Sequence, residues 1–246
     1  MMRKTILTWL LPCLLLMPVL LPTDSQAQTL DARGVIKARH RVVLSSEITG
    51  KITHIRFRTG TFFKKGQPLI EFDCDLLNAE RDKAEGGAMA ARAQLKFHKE
   101  LEALESIGAL EVALDQAQVI QKEAQLRIAT IAVQRCMVKA PWDGQVVKVL
   151  VAEHQGVRAQ EPLIEIVATG TMEIEVMVPA TWLQWIKRQT PFTVIVDETG
   201  ARLDAQVMVV GAVVEPVSKM LLLKGRLDQG DALLVPGMGA RVVFEK

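Results

Sequence analysis

The pentapeptide Pro68-Leu69-Ile70-Glu71-Phe72 returns 94 residues later as Pro162-Leu163-Ile164-Glu165-Ile166. The likeness extends backwards without a gap. Residues 50–72 lie over residues 144–166, glycine on glycine and proline on proline, with five identities in twenty-three positions. Apolar positions also coincide: Ile52 with Val146, Ile55 with Val149, Phe57 with Val151 and Phe63 with Val157. Each copy alternates apolar and polar residues, around ITHIRF and VVKVLV, and carries turn residues in TGTFFKKGQP and EHQGVRAQEP. That pattern predicts short strands separated by turns. One copy has too few strands to bury a core, because isolated hairpins are marginal in water. Two copies facing each other make a small sandwich; the other reading is two independent β-units in series.

Residues 73–137, between the copies, have a different character. From 75 to 107 the chain is rich in Ala, Glu, Lys, Leu and Arg and lacks proline, which favours helix. After SIGAL a second helical run continues to about Gln134. In it Leu110, Leu114, Ala117, Gln121, Ala124, Ile128 and Ile131 recur at spacings of four and three, a coiled-coil seam broken once by Gln121. The first run has a weaker seam through Leu77, Ala84, Ala88, Ala91 and Leu95, with Gly86-Gly87 as a soft spot. A stripe one seam wide suffices for one partner helix, so the pair is expected to project from the sandwich rather than to cover a sheet.

The N-terminus reads as an address. MMRK precedes the apolar run 5–21, and Ser25-Gln26-Ala27 supplies a small-x-small site. The pattern predicts a secretory signal cleaved after Ala27; the rival reading is a retained anchor. Removing it leaves 28 basic and 27 acidic residues, a net charge of +1. Such a near-neutral chain lacks the electrostatic footprint of a nucleic-acid binder. Chemistry is equally sparse. There is no G-x-S-x-G, no glycine-rich phosphate loop and no H-E-x-x-H. His40, His54, His98 and His154 show no ligand spacing, and the methionines are scattered. No enzyme, cofactor or metal is expected.

In this order the residues resemble a known family. VKAPWDGQVVKVLVAEHQGVRAQEPLIEI is similar to the second half of a biotinyl/lipoyl domain, and GKITHIRFRTGTFFKKGQPLIEF to the first half. The tight turn that bears the modified lysine in carrier proteins is replaced here by the helical insert. That split arrangement resembles the HlyD-like membrane fusion proteins, the periplasmic adaptors of tripartite efflux and secretion systems. The resemblance continues through MEIEVMVPATWLQWIKRQTPFTVIVDETG, the EPVSK turn and the closing PGM, which are similar to the adaptor's β-barrel domain. It implies a signal peptide at 1–27, an N-terminal barrel strand within 28–41, lipoyl-like halves at 42–72 and 138–170, an α-helical hairpin at 73–137 and a β-barrel at 171–246. The implied fold is mainly β with an antiparallel coiled-coil hairpin.

The resemblance also implies a role in export, the coupling of an inner-membrane transporter, of RND, ABC or other type, to an outer-membrane channel by a ring of identical subunits. The expected location is the periplasm, associated with the inner membrane. The hairpin tip, with Leu104, Ile107, Gly108 and Leu110, is the implied partner contact. Leu104 stands at the leucine of the family's channel-docking motif, but Glu100 and Glu111 fall where its Arg and Ser belong. The chain ends at Lys246, directly after the barrel segment, so the membrane-proximal domain of many pump-associated members is not expected. Trp182 and Trp185 are expected to pack the barrel, in its core or against a neighbour. Cys74 and Cys136 flank the insert and come level at the base of an antiparallel hairpin centred near residues 105–107. A disulfide there suits an oxidising compartment; the alternative is two free buried thiols. Two other functions stay open, a biotinyl/lipoyl carrier module of an enzyme complex and a secreted scaffold.

Overall fold

The computed structural model describes residues 29–228 and 233–245. The expected signal segment 1–27 and its cleavage after Ala27 lie outside them. In chain order the strands are β1 (Thr29–Ala38), β2 (Arg41–Ser45), β3 (Gly50–Ile55), β4 (Phe62–Phe63) and β5 (Pro68–Phe72). The helices α1 (Asp75–Ala103) and α2 (Ala109–Gln134) follow. Then come β6 (Met137–Lys139), β7 (Gly144–Val149), β8 (Gly156–Val157), β9 (Pro162–Ala168), β10 (Met172–Pro179), β11 (Pro191–Val196), β12 (Arg202–Val214), β13 (Met220–Leu227) and β14 (Gly239–Glu245).

The repeat builds two four-stranded sheets, ordered β2-β9-β7-β4 and β6-β5-β3-β8. Each sheet takes strands from both copies. β4 of the first copy pairs with β7 of the second, Phe63 opposite Gly144, and β8 of the second pairs with β3 of the first, Val157 opposite Gly50. The register repeats at the same 94-residue offset throughout. Ile52 faces Phe72 as Val146 faces Ile166, and Ile70 faces Val138 as Ile164 faces Leu44. Even the bulges coincide, between Ile52 and His54 and between Val146 and Lys148. One core results. Ile52, Phe63, Leu69, Ile70 and Phe72 meet Val146, Val157, Leu163, Ile164 and Ile166, all buried. The reading of two independent β-units is thereby excluded.

Loop conformation follows the repeat more closely than residue identity does. Gly60 and Gly66 have φ of 84° and 82°, and their counterparts His154 and Gln160 have φ of 67° and 69°. The same hydrogen bonds explain it: Gly60 N–H donates to the Val146 carbonyl at 2.8 Å, and His154 N–H to the Ile52 carbonyl at 2.9 Å. The second copy therefore holds two side chains in a region that suits glycine. Gly144 is required for another reason. A Cβ there would collide with the Val167 carbonyl oxygen and the Phe63 ring. Beside it Asp143 accepts from the Lys65 backbone N–H at 2.8 Å and from Lys64 Nζ at 3.3 Å, contacts that hold its carboxyl below the usual carboxylate range.

The remaining strands close a barrel in the order β1-β10-β13-β12-β11-β14. β1 pairs with β10 on one side and β14 on the other, so the N-terminal strand seals a cylinder otherwise built from β10–β14. Alternate residues such as Ile174, Val176 and Val178 point inward and are fully buried. Phe244 lies at the centre of an aromatic plug. Trp182, on a 3-10 turn at Ala180–Gln184, and Trp185, directly after it, meet its ring edge-on with centroids 5.5 and 5.9 Å away, and Phe192 lies 4.8 Å away. The two tryptophans thus pack the barrel's own end. Gly225 leaves room for the Phe192 ring, which a Cβ would strike. Gly237, at φ 106° in the PGM turn, donates to the Ile36 carbonyl at 2.8 Å and locks that turn to β1.

Relief of the left-handed side chains is measurable. His154→Gly and Gln160→Gly are each expected to raise the unfolding free energy by about 0.5–1 kcal/mol in denaturant titrations, strain relief outweighing the added flexibility of glycine. Gly144→Ala is expected to lower it by about 2 kcal/mol or more, since backbone and ring must both move.

Candidate functional site

The helices carry no catalytic constellation, but they are where this chain offers surface. The insert leaves the sandwich where β5 ends and returns at β6, and these strands pair, Glu71 opposite Met137. Phe72 N–H donates to the Cys136 carbonyl at 2.9 Å and Asp73 N–H to the Lys51 carbonyl at 2.8 Å, so both ends of the insert are tied to the body. Cys74 precedes α1 and Cys136 follows α2; their Cα atoms are 6.1 Å apart and their sulfurs are in bonding contact.

From this root α1 and α2 run antiparallel, each contacting chiefly the other and neither lying along a sheet. Twenty-nine residues make α1 about 44 Å long. Leu77, Ala84, Ala88, Ala91 and Leu95 face α2, with Ala88 and Ala91 buried. Gly87 sits in the same contact, its missing Cβ 3.7 Å from Lys122 Cδ. On α2 the inward positions are Val112, Asp115, Val119, Lys122, Leu126, Ala129 and Val133, again alternating three and four. This corrects the α2 seam expected from sequence. Leu110, Leu114 and Ile128 are 73%, 61% and 70% exposed and lie on the opposite side of the helix. Two residues of offset amount to roughly half a turn. The exposed stripe is the more apolar of the two, so hydrophobicity alone selects the wrong face.

The true seam contains a polar layer that sequence reasoning passed over. Asp115 is buried between the helices; Gln94 Nε2 donates to its Oδ1 at 2.9 Å, and His98 Nδ1 lies 2.5 Å from its Oδ2. Arg92 and Glu123 pair nearby at 2.8 Å. A signal for Asp115 existed: it completes the spacing of Val112, Val119, Leu126 and Val133. A lone carboxylate buried between helices is costly, and the Gln94 hydrogen bond from α1 offsets part of that cost while His98 lies against the other oxygen.

At the far end α1 stops at Ala103, four residues before the expected 107. Glu105 turns left-handed at φ 57°, its N–H donating to the Glu102 carbonyl at 2.8 Å and Ser106 N–H to the Leu101 carbonyl at 2.9 Å. This reciprocal closure of a helix end ordinarily uses glycine at the left-handed position. Gly108, in extended backbone, then begins α2. The four residues expected at the tip are gathered here: Leu104 and Leu110 project into solvent, Gly108 is exposed and Ile107 is half-buried. Among the described residues no three His, Cys, Asp or Glu converge as metal ligands, and no helix is long and apolar enough to cross a membrane.

This combination of sandwich, projecting helices and closed barrel occurs in solved structures. A chimeric MacA-MexA protein containing the Pseudomonas aeruginosa MexA α-hairpin domain superposes with a TM-score of 0.78 at 20% identity, over 89% of this chain and 81% of that one. A putative efflux transporter from Bacteroides eggerthii gives 0.75 at 20% identity over 89% and 69%. The membrane fusion protein Spr0693 from Streptococcus pneumoniae gives 0.71 at 14% identity over 88% and 99%. The fold is that of a membrane fusion protein. No family model matches the sequence, and no curated protein matches it.

The two faces of α2 can be told apart. Val119→Asp is expected to lower the helical unfolding midpoint, by about 2–3 kcal/mol in free energy, because it buries a second carboxylate, this one without a partner. Ile128→Asp on the exposed stripe is expected to stay within about 0.5 kcal/mol of wild type in the same circular-dichroism melts.

Proposed function

We propose that this chain is a periplasmic adaptor of the HlyD-like kind, coupling an inner-membrane transporter to an export path through the outer membrane. One observation carries the reading: the insert divides a single symmetric body, its two ends leave side by side, and the tip stands about 44 Å away with apolar side chains exposed. A body built to grip at one end and reach at the other suits a coupler. The names of the structural neighbours, an efflux transporter and a membrane fusion protein, favour the same role. The finer assignments belong to this reading: split biotinyl/lipoyl-like halves, a coiled-coil hairpin, a ring of identical subunits and export by a signal cleaved after Ala27. So does contact of Leu104, Ile107, Gly108 and Leu110 with an outer-membrane partner. No bond chemistry is asked of the chain. The carrier-module alternative is disfavoured because the helices occupy the place of a lysine-bearing turn.

A disulfide between Cys74 and Cys136 belongs to this proposal as a clamp at the root of the helices. Peptide mapping of exported protein without reductant should yield one linked peptide pair, and free thiols at both positions would remove the clamp. For a loop of 62 residues the crosslink contributes up to about 4 kcal/mol through the unfolded state, so Cys74→Ser with Cys136→Ser should lower the unfolding free energy by no more than that. The coupling role is tested by crosslinking in cells followed by purification from membranes. An inner-membrane transporter is expected in stoichiometric amount; its consistent absence would falsify the adaptor reading.

A further inference from the structure

The end of the barrel away from the sandwich is apolar at two adjacent turns. β10 finishes there at Pro179, opposite the start of β13 at Met220, and β1 begins there with Thr29 opposite Glu245. The hairpin of β12 and β13 carries Val213, Pro216 and Val217 to this end, and the 3-10 turn after β10 carries Leu183. Ala180 N–H donates to the Lys219 carbonyl at 2.9 Å, so the two turns stand side by side. Val217 is 90% exposed, more than any other large apolar side chain among the described residues; Val213 is 75% and Leu183 46% exposed. Neither turn is loose. Lys219 N–H donates to the Glu215 carbonyl and Glu215 N–H to the Met220 carbonyl, both at 2.9 Å. Past the 3-10 turn, Gln189 N–H donates to the Val207 carbonyl at 2.7 Å. The apolar tips are therefore held outward instead of folding onto the barrel. Lys187, Arg188 and Lys219 are exposed around them, with Asp31, Glu215 and Glu245 as the carboxylates nearest along the chain, so neither sign of charge dominates.

We infer that this end of the barrel seats directly on the surface of a phospholipid bilayer, its apolar tips in the headgroup layer and its cations on lipid phosphates. The inference deepens the membrane association in the reading above and rests on it. The path of the chain favours lipid as the occupant. Arg33 stands opposite Met177, so the segment before Thr29 leaves beside the 3-10 turn. Residues 22–28 join Thr29 to the apolar run 5–21, and seven residues reach at most about 25 Å. An apolar run held in a bilayer during export thus keeps this end of the barrel within reach of the surface. Cleavage after Ala27, as that reading has it, then removes the run, while the transporter partner stays in the membrane. A direct lipid contact keeps the chain where that partner is. The side chains suit the task. Lys and Arg lay apolar stems along a surface and keep their charges wet, and Trp182 and Trp185, half-buried, flank Leu183 with the ring type found at headgroup depth. Contact through so few apolar side chains is reversible.

A local probe tests the inference. Exported protein with Val217→Cys is labelled at that thiol with a fluorophore and mixed with vesicles of equal parts phosphatidylethanolamine and phosphatidylglycerol carrying a nitroxide quencher in their acyl chains. Thr59→Cys, at an exposed place on the sandwich, is the control, and the parent chain taken through the same labelling supplies the background. Quenching of about twofold or more is expected at position 217 and none at position 59. No quenching at 217, or equal quenching at both, overturns the inference. Adding Val213→Asp should reduce the quenching about threefold without moving the thermal melt, because the position is open to water but its charge resists the headgroup layer. An unchanged signal in that variant assigns the binding elsewhere and also overturns the inference. So does photocrosslinking from position 217 in cells that captures a membrane protein and no lipid. Quenching by a chain that recovers no transporter keeps this face and removes the adaptor reading, whereas a transporter recovered by a chain that shows no quenching removes the face alone.

Discussion

The exchange of short strands between the two repeat copies is the constraint on which the rest depends. β4 completes the sheet of the second copy and β8 that of the first, so neither half has its full set of backbone partners until both are present. A small sandwich has little apolar area to spare, and this one buries it in a single cluster drawn evenly from both halves. The shared core brings the ends of the insert together and aims the helices away from the body.

Sequence legibility differs between parts for physical reasons. The repeat was readable because period-two alternation, a glycine and a proline recur at one fixed offset, and strand register follows such patterning closely. The barrel was expected only from its resemblance to the adaptors' barrel domain; in it alternate residues such as Val194 and Val242 point inward. Trp182 and Trp185 were expected to pack the barrel, but whether their rings faced its core or a neighbour was not legible. That depended on Phe244, some sixty residues away in the chain.

The helices show where periodicity runs out. It reports that a face is apolar, not which neighbour the face meets. On α2 the buried face is interrupted by Asp115 and Lys122, whereas the exposed face is broken only by Gln121, so the apolar count favours the face that points to solvent. Asp115 is tolerated inside because Gln94 and His98 reach it from α1, and such a cross-helix arrangement leaves little trace in either helix read separately. The turn was expected near residues 105–107, but its left-handed residue, Glu105, was not singled out. Without a glycine to announce it, the helix read four residues too long.

The side-by-side exit of the insert has a consequence for how such a molecule can change. The body holds the helices at two adjacent points and makes few demands on them beyond that. Seven residues added to each helix would advance the far end by about 10.5 Å while returning each side chain to within about 20° of its former bearing. Reach can therefore be retuned in whole steps without renegotiating the architecture below, much as a telescoping mast lengthens on an unaltered footing.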